Sequence, residues 1–106
     1  MTNKNEIIDR IIKIADLKFP DSEIYLYGSH ARGDFKDYSD WDLLILLNLY
    51  DVPFTIETKL MDDFYDIELE TGEIISPLIY SKSDWNENHS ITALYENIKR
   101  EGIRLK

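Results

Sequence analysis

The stretch "YGSHARGDFKDYSDWDLLILL", residues 27–47, decides the fold. It runs from a Gly-Ser pair through a polar loop to two aspartates that open an apolar run. Asp40 and Asp42 flank a tryptophan, and "LLILL" follows directly. Two residues apart on an extended segment, both carboxylates point to the same face. One unpaired carboxylate is costly to bury, and two side by side are costlier. The pair therefore asks for positive charge between its members, and carboxylates so placed suit a hard divalent cation such as Mg²⁺. Across the loop, Gly28 lets the chain turn sharply after a strand. Ser29 then offers a hydroxyl beside the free amides of a first helical turn. That is a phosphate cradle facing a cation site. Taken singly, each piece has a plainer reading: an ordinary turn for Gly-Ser, a cap and a solvated acid for D-x-D. Together they point to chemistry. The P-loop pattern G-x-x-x-x-G-K-[ST] is absent.

Upstream, "EIYLY" (23–27) alternates polar and apolar and predicts a short strand. Residues 3–18 repeat Ile7, Ile8, Ile11, Ile12 and Ala15 at helical spacing, with Asn3 and Glu6 as a capping box. "FPDS" at 19–22 breaks that helix. After Gly28 a short helical turn runs through Ala31, and "GDFKDYS" is a polar loop. "WDLLILLNL" is apolar on both faces and predicts a central strand. Pro53 opens a helix over "FTIETKLMDDFYDIELE", with Ile56, Leu60, Phe64 and Ile67 on one side and Thr71-Gly72 as its end. "EIISPLIYS" is a third strand, which Pro77 assigns to an edge or a local irregularity. "KSDW" starts a short turn, and residues 89–101 form a final helix with Ile91, Leu94, Tyr95 and Ile98, ending at Gly102. The order α-β-α-β-α-β-α describes a small α/β sandwich. With no repeat and no linker, a single domain over residues 1–106 is expected.

Composition narrows the partners. Twelve Lys and Arg against 21 Asp and Glu leave a net charge of −9, which repels a long nucleic acid and suits cations or a basic partner. A hydrophobic content of 43% is enough for a packed core. The absence of cysteine excludes disulfides and thiolate metal sites. No stretch approaches the roughly 20 apolar residues that span a bilayer. The first residues, "MTNKNEIIDR", do not read as a secretory signal, so the cytoplasm is the expected location.

"GSHARG", a spacer, and "DWD" leading into a hydrophobic strand resemble the DNA polymerase β-like nucleotidyltransferase superfamily. The fuller form GS-x-ARG…SD-x-D is similar to its minimal nucleotidyltransferases. The likeness is specific over residues 24–47 and loose beyond them. It implies a small mixed sheet with helices packed against it, the nucleotidyltransferase fold. It also implies transfer of a nucleoside monophosphate, AMP from ATP, to a hydroxyl of a protein, an RNA end or a small molecule. Asp40 and Asp42 would hold two Mg²⁺ ions, Ser29 and the amides around Gly28 would hold the β- and γ-phosphates, and Arg32 is placed to touch a phosphate. Such proteins are often encoded beside a helical HEPN protein and act as its antitoxin. A chain this short would need a partner or a second copy to hold its substrate. The superfamily also supplies a third carboxylate from a neighbouring strand. Here the middle of that strand carries Ser76 and Pro77, and the nearest acids are Glu68, Glu70 and Glu73. Lacking that acid, the same fold would bind nucleotide or a partner without catalysis.

The other residues of the stretch have structural readings. Arg32 is expected to pair with Asp37 or Asp40, His30 to lie at the surface, Gly33 to allow a turn and Ser39 to cap the loop. Trp41 is expected in the core. The tyrosines, tryptophans and phenylalanines are read mainly as core and half-buried packing. The acid-rich "MDDFYDIELE" is a solvated helix face, or a docking surface for a basic partner.

Overall fold

The apolar run after the acid pair lies at the centre of a four-stranded sheet. The computed structural model describes residues 4–106, so the Asn3 half of the anticipated capping box falls outside the described residues. The strands are β1 (Glu23–Tyr27), β2 (Trp41–Leu47), β3 (Ile75–Ser81) and β4 (Ile103–Arg104), in the order β3-β2-β1-β4. β2 runs antiparallel to β1 and parallel to β3, while β4 pairs antiparallel with β1. The sheet is mixed, as the resemblance implied.

The helices are α1 (Lys4–Lys18), α2 (Ser29–Arg32), α3 (Phe54–Thr71), α4 (Lys82–Asn88) and α5 (Ala93–Glu101). On one face of the sheet, Ile7, Ile11 and Ala15 of α1 and Leu60, Phe64 and Ile67 of α3 pack on Ile24, Leu26, Leu43, Ile45 and Leu47. On the other, Trp85 of α4 and Ile98 of α5 pack on Leu44 and Leu46, with Tyr25, Tyr27, Leu78 and Tyr80 around them. β2 therefore needs apolar side chains on both faces, which is why its sequence does not alternate. β1 does alternate, with Ile24 and Leu26 buried and Tyr25 and Tyr27 half-buried. β3 is an edge strand, where the missing N–H of Pro77 is tolerated.

Three elements depart from the reading of the sequence. "KSDW" begins a true helix, because the Ser81 hydroxyl accepts the Asp84 amide at 3.1 Å and caps α4. The last helix starts at Ala93, where Thr92 caps it by accepting the Tyr95 amide at 3.1 Å. Ile91 thus precedes the helix and is 94% exposed. β4 was not anticipated. Its pairing depends on a distant strand: the Leu105 amide donates to the Ile24 carbonyl at 2.8 Å, and the Ile24 amide to the Lys106 carbonyl at 3.2 Å. The aromatic side chains are mainly buried or half-buried, as expected, with Tyr38, Tyr50, Phe54 and Tyr65 among the exposed exceptions. Among the described residues, no helix is long and apolar enough to cross a membrane.

Phe64→Ala, at a side chain 2% exposed between α3 and the sheet, should cost about 3–5 kcal/mol in urea unfolding. Tyr50→Ala, at a side chain 93% exposed, should stay within about 0.5 kcal/mol of the parent.

Candidate active site

β1 ends at Tyr27, which lies opposite Asp42 in the antiparallel register. The next residue, Gly28, has φ +73° and ψ −156°, a conformation open essentially to glycine alone. Space imposes the same choice, because a Cβ on Gly28 would overlap the Asp42 carboxylate. The carbonyl of Gly28 then accepts the Ala31 and Arg32 amides at 3.1 and 3.0 Å, starting α2 with Ser29 in its first turn. One backbone turn therefore brings the carboxylate of Asp42 and the start of a helix together.

His30 is where the structure corrects the sequence most sharply. Expected at the surface, it is 4% exposed. Its ring stacks between Trp41 at 3.8 Å and Phe35 at 4.5 Å, and its Nε2 lies 3.1 Å from the Ser39 carbonyl. His30 thus clamps the polar loop to α2 and fixes the distance between Ser29 and the acid pair. Ser39 caps the loop as expected, its hydroxyl accepting the Lys36 amide at 2.8 Å. Trp41 is in the core, as expected.

Arg32 does not pair with Asp37 or Asp40. It donates to Asp34 at 3.2 Å and to Glu101, at the end of α5, at 3.2 Å. Glu101 also accepts the Gly28 amide at 3.3 Å. One amide of the anticipated phosphate cradle is therefore already held by a carboxylate. Nothing in the sequence marked Glu101, which lies 69 residues from Arg32.

The acids themselves are close together. Burial, and after it the charge of Asp40, push the Asp42 carboxyl above the usual aspartate range, partly offset by His30 and Arg32. Tyr27 is pushed up to about 12, first by burial and then by Asp42 and Tyr80, so its hydroxyl stays protonated beside the acids. On the other side, β3 aligns Ser76 with Asp42, and the Ser76 hydroxyl donates to Asp40 Oδ2 at 2.8 Å.

None of the three candidate third acids reaches this face. Glu73 accepts the Trp41 indole N–H at 3.1 Å, on the side of β2 away from Asp42. Glu68 accepts the Ile75 amide at 2.7 Å, and Glu70 pairs with Arg10. Ser76 occupies the place facing Asp42 instead. Asp40 and Asp42 supply hard oxygen donors for a divalent cation. Among the described residues, no three His, Cys, Asp or Glu side chains gather as a metal-binding group.

Gly28→Ala should destabilise the fold by about 1–3 kcal/mol through backbone strain alone, with a further loss as Asp42 is displaced. Thermal unfolding and nucleotide titration check the two effects separately. Asp42→Asn should act oppositely on stability. A carboxyl raised on folding destabilises the native state once pH exceeds its unfolded value and has no effect well below it. The variant should thus melt above the parent at pH 7, and the gap should close as pH falls below the ordinary aspartate range.

The model of the family described as "Nucleotidyltransferase domain" matches residues 8–99. The chain is 31% identical over 81 residues to "Putative protein adenylyltransferase MJ0604" of Methanocaldococcus jannaschii, covering 76% of this chain and 73% of that protein. It is 38% identical over 61 residues to "Putative protein adenylyltransferase MJ0141" of the same organism, covering 57% of this chain and 60% of that protein. In fold, it is similar to a crystal structure of a toxin-antitoxin with AMP-PNP, with a TM-score of 0.68 at 18% identity over 93% of this chain and 72% of that one. A mutant of the toxin-antitoxin MntA-HpeT gives a TM-score of 0.65 at 17% identity over 93% of this chain and 72% of that one. With 92 contiguous residues matched, from 8 to 99, the chain belongs to the nucleotidyltransferase domain family.

Proposed function

We propose that this chain, acting as one domain over residues 1–106, moves AMP from ATP onto a hydroxyl of a partner protein. The observation that carries the reading is the Asp42 carboxylate packed against a left-handed Gly28, directly before Ser29. That contact sets a half-buried acid beside a helix start, an arrangement that a cation and a polyphosphate together would relieve.

Asp40 and Asp42 would hold Mg²⁺, which when bound neutralises the triphosphate and helps orient it for in-line displacement. Ser29 and the amides at the start of α2 grip the β- and γ-phosphates, so that pyrophosphate is held as the leaving group. The Gly28 amide and Arg32 join them by exchanging Glu101 for a phosphate oxygen. The acceptor oxygen bonds to the α-phosphorus as the bond to pyrophosphate breaks, and the hydroxyl proton is lost to water. Most of the acceleration comes from positioning and charge neutralisation.

The names of the two sequence relatives support ATP as donor and a protein as acceptor. The toxin-antitoxin neighbours support a partner protein, here a helical toxin of the HEPN kind toward which this chain acts as antitoxin, in the cytoplasm. Met61, Tyr65 and Leu69, exposed along one side of the acid-rich segment of α3, support a docking surface there. A net charge of −9 favours a basic partner.

A second reading rests on Ser76. A site with a serine where a third acid is usual binds nucleotide as a module and transfers nothing. Incubation with labelled ATP, Mg²⁺ and the protein encoded next to this one separates the two. Transfer should label the partner, and Asp40→Asn or Asp42→Asn should each lower the rate at least about a hundredfold with the fold intact by circular dichroism. Wild-type protein that binds ATP with Mg²⁺ and labels no acceptor establishes the module.

A further inference from the structure

We infer that Glu101 is a specificity-determining residue: its carboxylate competes with the terminal phosphates for Arg32 and the Gly28 amide, so that pyrophosphate is held loosely and leaves. This role rests on the nucleotide reading above.

Glu101 ends α5, and its Oε1 accepts both the Gly28 amide at 3.3 Å and Arg32 Nη1 at 3.2 Å. One carboxylate oxygen thus ties two donors, each of which suits a phosphate oxygen equally well. Both contacts are long for charge-assisted hydrogen bonds, which run to about 2.7–2.9 Å. The Arg32 side chain is 47% exposed, so water screens the pair and its net strength is small. A carboxylate at a helix C-terminus also opposes the helix dipole. Glu101 therefore occupies the place without being locked into it.

The surroundings confine the exchange to one side chain. Ile98, 5% exposed, anchors α5, and the Gly102 amide donates to the Ile98 carbonyl at 2.7 Å, so the backbone around Glu101 is held. Asp34 accepts from Arg32 Nε at 3.2 Å, which leaves Nη1 for whichever anion takes the place. A ligand with terminal phosphates displaces Glu101. AMP, whose one phosphate lies at the acid pair, does not reach it. Once transfer has separated AMP from pyrophosphate, Glu101 competes against pyrophosphate alone.

Titration calorimetry with Mg²⁺ and either pyrophosphate or AMP, on the wild type and Glu101→Gln, tests this. Glu101→Gln should bind pyrophosphate about three- to tenfold more tightly and AMP within about twofold of the wild type. Equal or weaker pyrophosphate binding by the variant overturns the inference, because a Glu101 that merely braces Arg32 and Gly28 gives that result. An equal gain for AMP overturns it as well, since Glu101 then acts as general repulsion and not by exchange. In both cases a non-hydrolysable ATP analogue that binds the wild type with Mg²⁺ leaves the nucleotide reading standing. If neither the analogue nor pyrophosphate binds either protein, this inference falls together with the nucleotide reading beneath it. Should Glu101→Gln fail to fold, Glu101→Asp, whose shorter side chain draws the carboxylate back from the Gly28 amide, takes its place with the same expected gain.

Discussion

The close approach of the Asp42 carboxylate to the α-carbon of Gly28 ties the chemistry of this protein to its fold. The contact spans β1 and β2, and the antiparallel register that faces Tyr27 with Asp42 makes it unavoidable. Any side chain at residue 28 would force the acid away, and the backbone there takes a conformation that other residues strain to reach. Asp42 is also held partly out of water beside another acid, which favours its protonated form. Locally, the arrangement is unfavourable. It persists because the strands that carry it are anchored by Ile24, Leu26 and Leu43 through Leu47, all nearly inaccessible. Such local cost, offset by a core elsewhere, is a usual mark of a functional site.

Two further devices hold the loop between Gly28 and Asp40 in shape. His30 lies between the rings of Trp41 and Phe35, so the residue after Ser29 and the residue after Asp40 are stacked on each other. Glu101 closes the opposite side, joining α5 to Gly28 and Arg32 at once. A carboxylate at the end of a helix is disfavoured by the helix dipole, so its position owes most to Arg32 and the Gly28 amide. The Gly28 amide and Arg32 are thus already held by an anion of the protein's own.

What the sequence made legible follows from period and from local rules. Five consecutive apolar residues after Asp42 marked β2 as central and alternation marked β1, while Pro77 left β3 an edge position or a local irregularity, of which the sheet order shows the first. The spacing of Gly28, Ser29, Asp40 and Asp42 marked the site because all four lie on one continuous segment. Contacts between distant residues were not legible. Two residues of β4 form a strand only because β1 offers its free edge. Histidine in a polar loop reads as exposed until a phenylalanine and a tryptophan close on it from both sides. Arg32 had several acids nearby in sequence, and one of its two partners came from the far end of the chain.

Ser76 shows best how the two kinds of information combine. The sequence could say that no acid stands in the middle of β3, but not whether Glu68, Glu70 or Glu73 bends in to replace it. The parallel register answers, because it sets residue 76 level with Asp42 and leaves Trp41 and Ile75 level with each other on the opposite side. Glu73 follows Trp41 to that side, and Glu68 is drawn to the amide of Ile75. With the strands paired this way, Glu73, Glu68 and Glu70 each have a partner away from the site. A hydroxyl at the third place leaves two carboxylates beside the Gly28 turn, with one negative charge fewer than a third acid would bring.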